Sequence, residues 1–297
     1  MKKVVLIGLG AVGLTYAVKL KGKCDLFILA DDERINKYKI APPKFNGIEQ
    51  EFNYILPTND FKADLIIVAT KSQGLNSAIK NIKNFVSEKT RIISLINGIS
   101  SEEKISEAYP DAKVLKSYFI GHSAVREGNS VTQDGVGEIV IEHDELIEEF
   151  FKNSNINYSV PENINYAMWL KYTFNLFSNQ ISAILDMNFG ALKRNNEFKE
   201  FAKHIVSEVK QIAEKKGINN LENLEYDTIK SLERMCDDGM TSMHQDILAK
   251  RPTEVDIFAG EIIKLGKTYG IETPYNQVLY DLIKIKEEDN EHSIHTC

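Results

Sequence analysis

The first half of the chain alternates short apolar runs with segments of helical spacing. The apolar runs are, in chain order, VVLIG (4–8), DLFILA (25–30), DLIIVAT (64–70), RIISLIN (91–97), VLKSYFIG (114–121) and EIVIEH (138–143). The first four are apolar almost throughout, which is typical of strands buried on both faces of a parallel sheet. Helical spacing at 11–21 and 75–89 separates them. The pattern therefore predicts an α/β, Rossmann-type doubly wound sheet.

The second half is helical in period, and no further strand run follows about residue 165. The segment 165–187 is apolar almost all round, so it predicts a buried helix. The segment 197–217 is amphipathic and closes on a glycine, which is a helix stop signal. Another helix is predicted over 252–270, with Pro252 in its first turn. We therefore predict a dinucleotide-binding domain over 1–165 and an all-helical substrate and catalytic domain over 166–297.

Composition narrows the class of protein. The chain has 297 residues, of which 43% are hydrophobic and 27% charged, as in ordinary globular proteins. Its net charge of -7 argues against a nucleic-acid partner. No apolar stretch approaches the roughly 20 residues that span a bilayer, and a first strand that begins by residue 3 leaves no room for a signal peptide. We expect a cytoplasmic protein without a membrane partner, with a solvated tail over 287–297.

The cysteines and histidines do not form a recognisable metal or disulfide pattern. Cys24, Cys236 and Cys297 are far apart in sequence, and none belongs to a CxxC pair. The six histidines have no metal-ligand spacing. We expect three reduced, non-catalytic thiols and no metal site.

The glycine motif GLGAVG follows the first predicted strand and opens the first predicted helix, the context that a dinucleotide fingerprint requires. Gly8 would make the tight turn, Gly10 would let the pyrophosphate approach, and Gly13 would let the helix pack on the strand. Ala11 and Val12 would add amide hydrogens at the helix N-terminus. The alternative is a turn that binds no ligand.

The end of the second strand bears on which dinucleotide binds. Asp31, in ILADDER, would accept hydrogen bonds from the ribose 2′-hydroxyl and repel a 2′-phosphate, which favours NAD(H). Arg34 could instead swing to a 2′-phosphate, and Lys71, after the third strand, could assist. Local chemistry leans to NAD(H) but leaves both cofactors open.

A polar stripe runs along the apolar helix predicted over 165–187. Lys171, Asn175 and Asn179 recur every four residues and so share one face. A buried ammonium needs an anion or a water-filled cleft, which indicates a proton donor with two substrate-binding amides. The alternative is a lysine that reaches solvent beside structural amides.

Two further polar residues lie near the end of the chain, in SMHQDILAKRPTEVD. Glu254 is predicted in the first turn of a helix, where the helix dipole favours a carboxylate. Ser242 is a predicted N-cap of the short helix MHQDILA. Each has an ordinary structural explanation, but together with the lysine stripe they form a polar set that could face a cofactor cleft.

Five blocks of sequence closely resemble the ketopantoate reductase family over nearly the whole chain. They are GLGAVG, ATKSQ, INGI, WLKYTFNLFSNQISAI and TSMHQDILAKRPTEVDIFAG. The resemblance implies a Rossmann domain, a helical domain and an active site between them. It also implies NADP(H)-dependent reduction of 2-dehydropantoate, a 2-oxo acid, to (R)-pantoate in pantothenate biosynthesis.

The resemblance also implies roles for individual residues. Lys171 is similar to the family's general acid, and Asn97, in INGI, to the asparagine beside the nicotinamide and substrate. Lys71 is similar to a lysine near the cofactor. The remaining substrate-binding positions implied by the family are Asn175, Asn179, Ser242 and Glu254, with Glu254 similar to the residue that holds the substrate's terminal hydroxyl.

Two positions depart from the family pattern and keep alternatives open. Asp31 stands where many NADPH-using members have an arginine, and Phe189 is near a position where some have a further substrate-binding asparagine. Both fit an NAD-dependent D-2-hydroxyacid dehydrogenase that acts on bulkier 2-oxo acids. A non-catalytic dinucleotide sensor and a methyltransferase are alternatives of other classes. The apolar faces of the helical half could pack internally or against another copy, so a homodimer also stays open.

Overall fold

The computed structural model of the protein describes residues 1–121 and 123–295, with the backbone alone at Ser123 and 291–295. The chain divides into two compact units, Met1–Ile164 and Asn165–Cys297. The strands are β1 (Lys3–Ile7), β2 (Asp25–Leu29), β3 (Lys44–Phe45), β4 (Ile48–Glu49), β5 (Asn53–Ile55), β6 (Leu65–Val68), β7 (Arg91–Ser94), β8 (Lys113–Leu115), β9 (Ser117–Ile120), β10 (Ser123–Glu127), β11 (Ser130–Asp134), β12 (Glu138–Ile141) and β13 (Tyr158–Ser159).

The helices of the first unit connect these strands, and those of the second unit follow one another without a described strand between them. They are α1 (Ala11–Leu20), α2 (Asp32–Ile40), α3 (Leu75–Asn81), α4 (Ser101–Ala108), α5 (Glu145–Asn153), α6 (Ile164–Leu185), α7 (Phe189–Arg194), α8 (Asn196–Lys215), α9 (Leu224–Glu233), α10 (Ser242–Leu248), α11 (Ala259–Tyr269) and α12 (Pro274–His295).

The core of the first unit is a parallel sheet of strand order β5-β2-β1-β6-β7-β8. Alternate side chains of β1 enter different apolar clusters: Val4 and Leu6 lie in one, and Val5 and Ile7 in the other. Burial on both faces explains why this strand is apolar at successive positions. The predicted doubly wound fold is confirmed, and the first four predicted runs form β1, β2, β6 and β7.

The run predicted as one strand over 114–121 is two strands in two sheets. β8 pairs with β7, whereas β9 pairs antiparallel with β12 in a three-stranded sheet that β13 completes. The Ser117 hydroxyl donates to the Ser94 carbonyl at 2.9 Å and accepts from the Ser94 amide at 3.1 Å. Because a side chain takes these two backbone groups at the end of β7, the large sheet does not continue along β9.

Two predicted helices are shorter than their patterns. The helix over 75–89 ends as α3 at Asn81, and a 3-10 turn follows over Lys83–Phe85. In this turn the Asn84 carbonyl accepts from Lys62 and the Phe85 carbonyl accepts from the Ala63 amide. The helix predicted from Pro252 begins only at Ala259, after a short 3-10 turn over Val255–Ile257. The apolar spacing therefore misplaced the C-terminal end of the first helix and the N-terminal end of the second.

The described residues of the second unit form helices joined by loops, without a strand, as predicted. α11 packs against α12 and α8. α8 ends at Lys215, and Gly217 follows with a φ of +78°. The Ile218 amide then donates to the Ala213 carbonyl at 3.0 Å, so the left-handed glycine closes the helix as the sequence indicates.

The segment 287–297, predicted as a solvated tail, starts within α12, which continues to His295. The Glu287 carboxylate accepts from the Thr253 amide at 2.7 Å and from Lys284 at 2.9 Å. These contacts fix the helix to the segment before α11. The first residue of the predicted tail is therefore part of a packed helix.

Candidate active site

Four loops that the sequence singled out follow neighbouring strands of the parallel sheet. The glycine motif follows β1, Asp31 follows β2, Lys71 follows β6 and Asn97 follows β7. The strand order β2-β1-β6-β7 brings these loops to one carboxyl edge of the sheet, around the point where the order reverses at β1. Open α/β sheets bind their ligands at this point.

The three glycines of the motif meet different surroundings. A Cβ on Gly8, whose φ is +100°, would lie 2.7 Å from the backbone of Ala69, and a Cβ on Gly13 would lie 1.8 Å from the Gly8 carbonyl oxygen. A Cβ on Gly10 would meet no atom within 4 Å. Gly8 and Gly13 are therefore required by packing within the protein, whereas Gly10 leaves space from which a ligand can approach the backbone.

The N-terminus of α1 has no side-chain cap. Gly10 is the N-cap residue, so no capping side chain accepts a hydrogen bond from the first amides of the helix, which include those of Ala11 and Val12. The neighbouring helix α2 is capped by Asp31 instead. Uncapped amides beside an open glycine backbone fit the pyrophosphate of a dinucleotide.

Asp31 and Arg34 contact each other. One oxygen of Asp31 accepts from the Arg34 amide at 2.8 Å, and the other lies 3.6 Å from the Arg34 Nε. Both side chains are more than half exposed, at 53% and 60%. An exposed ion pair of this kind contributes little to stability, so either group can turn to a ligand at small cost.

Arg126 lies beside the glycine motif, a contact that the sequence did not indicate. Its Nη1 donates to the carbonyl of Leu9 at 3.1 Å, and its Nε donates to the carbonyl of Gly128 at 2.9 Å. β10 and β11 form a hairpin of the small mixed sheet β10-β11-β3-β4. Their residues are largely polar, so no hydrophobic pattern signals that this hairpin reaches the loop after β1.

Lys71 and Asn97 occupy the ends of the two remaining loops. Lys71 is exposed and precedes the 3-10 turn Ser72–Gly74. Asn97 is half-buried and stands before Gly98, whose φ is +108°. The left-handed glycine turns the chain sharply after β7, so the residue before it stays at the strand end.

The stripe of α6 grows more buried toward its C-terminal end. Lys171 and Asn175 are half-buried, whereas Asn179 is buried. The Asn179 side-chain oxygen accepts from the Ser242 hydroxyl at 3.3 Å and from the Met243 amide at 3.2 Å. Asn179 and Ser242 are therefore brought together, and the Asn179 oxygen binds the start of α10.

Ser242 is not the N-cap of α10, so the position predicted for the cap is wrong by one residue. Thr241 is the cap, and its hydroxyl accepts from the His244 amide at 3.2 Å. The same hydroxyl lies 2.5 Å from that of Ser182 on α6. Because Thr241 takes the capping role, the Ser242 hydroxyl is left to contact Asn179.

Glu254 is not in the helical position that the sequence predicts. It precedes the 3-10 turn Val255–Ile257 and is not in the first turn of an α-helix, so the helix dipole of α11 does not explain it. Its neighbours Thr253 and Val255 are buried, and the Thr253 amide is held by Glu287. Glu254 itself is half-buried on this anchored backbone.

A bond from the residue after Lys171 fastens α6 to the segment that follows Glu254. The Tyr172 hydroxyl donates to the Phe258 carbonyl at 2.8 Å, and the two rings stack with centroids 6.1 Å apart. Burial raises the pKa of Tyr172 well above its ordinary value, and the charge of Glu261 adds to this effect. The phenol therefore remains a hydrogen-bond donor, and Lys171 and Glu254 are carried by elements that are joined directly.

Phe189 belongs to an aromatic pair in the second unit. Its ring stacks on that of Phe174 with centroids 6.3 Å apart, and its amide donates to the Gly239 carbonyl at 3.0 Å. Both rings are half-buried, and Phe174 adjoins Asn175 in sequence. The polar stripe of α6 is thus flanked by an apolar surface.

The described part of the chain contains no cluster of three or more His, Cys, Asp or Glu side chains that could hold a metal ion. Cys24 and Cys236 are free thiols, and Cys297 lies outside the described residues. Among the described helices, none is both long and apolar enough to cross a bilayer.

Comparisons with known proteins match both halves of the chain. The profile of the family described as ketopantoate reductase PanE/ApbA matches residues 4–145, and its C-terminal profile matches residues 163–287. The 2-dehydropantoate 2-reductase of Pyrococcus horikoshii is 30% identical over 298 residues, which cover 96% of this chain and 97% of that protein.

Solved structures share the fold. D-mandelate dehydrogenase, in a ternary structure with NADH and anilino(oxo)acetate, is 24% identical with a TM-score of 0.84, and the match covers 97% of this chain and 99% of that one. A dimeric ketopantoate reductase from Staphylococcus aureus is 22% identical with a TM-score of 0.77, with coverage of 97% and 99%.

Proposed function

This chain belongs to the ketopantoate reductase family and is a nicotinamide-dependent oxidoreductase, and we propose that it reduces 2-dehydropantoate to (R)-pantoate in pantothenate biosynthesis. The observation that carries this proposal is the direct link between the two polar elements of the helical unit. Lys171 precedes Tyr172, whose hydroxyl binds the Phe258 carbonyl, and that segment also carries Glu254. A reductase of a hydroxylated 2-oxo acid needs both an acid and a hydroxyl acceptor.

The reaction breaks the π bond of the ketone. A dihydronicotinamide held by the glycine motif would supply the hydride that the ketone carbon takes up, and would itself be oxidised. Negative charge then develops on the ketone oxygen, where the Lys171 ammonium stabilises it and donates the proton that completes the alcohol. Lys171 is thus the proposed catalytic residue, and its half-buried position strengthens its interaction with the developing charge.

The substrate-binding set is Asn97, Asn175, Asn179, Ser242 and Glu254. Glu254 accepts the terminal hydroxyl of the substrate, and Asn175 donates to its polar groups. The Ser242 hydroxyl gives its hydrogen to Asn179, so it offers the substrate an acceptor oxygen. Asn179 does not act only as a direct ligand of the substrate. Its side-chain oxygen already accepts hydrogen bonds from the Ser242 hydroxyl and the Met243 amide. It therefore orients Ser242 as well as lining the site.

The cofactor-binding set is Gly8, Gly10, Ala11, Val12, Gly13, Asp31, Arg34, Lys71 and Asn97. NADP(H) is the proposed cofactor, by family membership and because the exposed Arg34–Asp31 pair can release its guanidinium. NAD(H) is the second candidate. It is favoured by the Asp31 carboxylate at the end of β2 and by the NADH-bound mandelate dehydrogenase of the same fold.

Initial rates of NADPH and NADH oxidation with 2-dehydropantoate test the proposal. Efficient turnover that depends on Lys171 is expected, whereas absent turnover with either cofactor would refute the proposed substrate. Lys264→Ala, on the exposed face of α11, is a matched control that removes a lysine from the same unit without touching the stripe.

A D-2-hydroxyacid dehydrogenase that acts on bulkier 2-oxo acids is the second candidate function. The stacked Phe174 and Phe189 rings favour it, since an apolar surface beside Asn175 would suit an aromatic substrate. Benzoylformate in the same assay distinguishes the two. This candidate would replace the first if the wild type turned over benzoylformate preferentially and if the Phe189→Asn variant turned it over more slowly.

A second copy of the chain is the proposed protein partner. Val278, Leu282 and Ile285 are exposed and recur at helical spacing along α12, which supports an apolar contact surface. The dimeric relative from S. aureus has the same fold. Sedimentation of the wild type and of Leu282→Glu should give a dimer and a monomer respectively. A wild-type monomer would refute this partner.

A further inference from the structure

Arg126 joins the β10–β11 hairpin to the glycine motif. Its guanidinium has five N–H groups, and two of them donate, within the described chain, to the carbonyls of Leu9 and Gly128. The other donors and the positive charge are exposed. The contact with Leu9 places this charge between the first and second glycines of the motif, beside the loop that follows β1.

The positive charge of Arg126 also acts on a residue of α2. Burial raises the pKa of Tyr38, and the charges of Arg126 and Arg34 oppose that rise. Tyr38 lies one turn after Arg34 on α2, the helix that Asp31 caps. Two guanidinium groups from different segments therefore act on the same phenol, which belongs to the helix that follows β2.

We propose that Arg126 binds the 2′-phosphate of NADP(H) together with Arg34. The proposal deepens the function given above, because it rests on dinucleotide binding by the glycine motif. In a doubly wound sheet the end of β2 contacts the ribose that carries the 2′ group, while the pyrophosphate lies at the N-terminus of α1. Arg34 belongs to the helix that follows β2, and Arg126 contacts Leu9 in the loop after the adjacent strand β1.

The chemistry of the two arginines suits a dianionic phosphate. A planar guanidinium presents paired N–H groups to phosphate oxygens, and Arg126 is already oriented by its two carbonyl contacts. Arg34 leaves only an exposed 3.6 Å contact with Asp31 when it turns to the phosphate. The positive charge of Arg126 also offsets the repulsion between Asp31 and the phosphate.

Isothermal titration with cofactor fragments tests the proposal without turnover. The wild type should bind 2′,5′-ADP more tightly than ADP. Arg126→Ala should weaken 2′,5′-ADP binding by about 10- to 100-fold, as expected for a charge-assisted bond, and leave ADP binding unchanged. Arg126→Lys should retain an intermediate affinity, because it keeps the charge but loses the paired donors.

Each contrary result has a distinct meaning. Equal affinity of the wild type for the two fragments, or an equal loss of both in Arg126→Ala, would overturn the 2′-phosphate assignment. Unchanged ADP binding shows that the variant is folded, and Arg234→Ala controls for loss of an exposed arginine elsewhere. Failure to reduce 2-dehydropantoate alongside the expected fragment binding would refute the proposed substrate alone.

Discussion

The Glu287 carboxylate accepts a hydrogen bond from the Thr253 amide at 2.7 Å, and the next residue in the chain is Glu254. Lys284 donates to the other Glu287 oxygen at 2.9 Å. Only 16% of the Glu287 side chain is exposed. The helix α12 therefore fixes the backbone that carries the proposed substrate-binding carboxylate.

Glu287→Ala should disturb the position of Glu254 and leave the Thr253 amide without its partner. We expect a higher KM for the 2-oxo acid with a smaller change in kcat, and a loss of about 1–3 kcal/mol in the free energy of unfolding. Steady-state kinetics and urea unfolding measure the two effects. Glu272→Ala, at an exposed position before α12, is the control. Identical effects on KM in both variants would contradict the positioning role.

The pH dependence of this contact has a definite sign. Burial alone would raise the pKa of Glu287, but the hydrogen bonds from Thr253 and Lys284 outweigh it and lower the pKa. A carboxylate with a lowered folded pKa contributes stability above its unfolded pKa, and that contribution is lost as pH falls through the folded value. The stability difference between wild type and Glu287→Gln should therefore shrink in acid. A difference that grows in acid would exclude this assignment.

Lys171→Ala should remove the proton donor and the charge that stabilises the oxyanion. We expect kcat to fall by about 10²- to 10⁴-fold, with the affinity for the nicotinamide cofactor unchanged. Lys171→Arg keeps the charge but is a poor acid, so it should recover little of the rate. Stopped-flow hydride transfer and cofactor titration measure these quantities. Wild-type turnover in Lys171→Ala would remove the lysine from the mechanism.

Alanine substitutions at Gly13 and Gly10 should have different effects, because one glycine is required by packing and the other leaves space for the ligand. Gly13→Ala places a Cβ 1.8 Å from the Gly8 carbonyl oxygen, so α1 must shift, and we expect a loss of about 3 kcal/mol in the free energy of unfolding. Gly10→Ala meets no atom within 4 Å. It should preserve stability and weaken dinucleotide binding, because its methyl group occupies space near the pyrophosphate. Undiminished dinucleotide affinity in Gly10→Ala would count against that placement.

Asp144 anchors the opposite side of the first unit through a buried charge cluster. Its side chain is 2% exposed and contacts Arg91 Nε at 2.9 Å and Lys113 Nζ at 2.8 Å. Burial opposes ionisation, but the bonds from Lys113, Arg91 and the Ile147 amide lower the pKa of Asp144. Its stabilising contribution should therefore be complete at neutral pH and decline as pH falls through the folded pKa.

Asp144→Asn keeps a side chain that can cap α5 but removes the charge that Arg91 and Lys113 face. Lys113 is 52% exposed and so remains solvated. We expect a loss of about 2–4 kcal/mol in the free energy of unfolding at neutral pH. Asp31→Asn at the exposed cap of α2 should cost about 1 kcal/mol or less. Chemical unfolding of the two variants compares them, and equal costs would contradict the importance of burial.

The sequence by itself determined the features that local pattern encodes. Continuous apolar runs specified β1, β2, β6 and β7, since a strand buried on both faces has no polar side. The spacing of Gly8, Gly10 and Gly13 specified the turn into α1, and a four-residue period placed Lys171 and Asn175 on one face of α6. Each of these inferences depends only on residues close together in the chain.

Only the tertiary structure decided which polar groups, distant in the sequence, form hydrogen bonds with one another. The cap of α10 is Thr241 because Asn179 and Ser182 bind that end of the helix, and Glu254 is held through a contact between Thr253 and Glu287. Arg126 reaches Leu9 across more than a hundred residues. Such pairs leave no periodic trace in the sequence, because backbone and polar groups accept any partner that the fold brings within hydrogen-bonding distance.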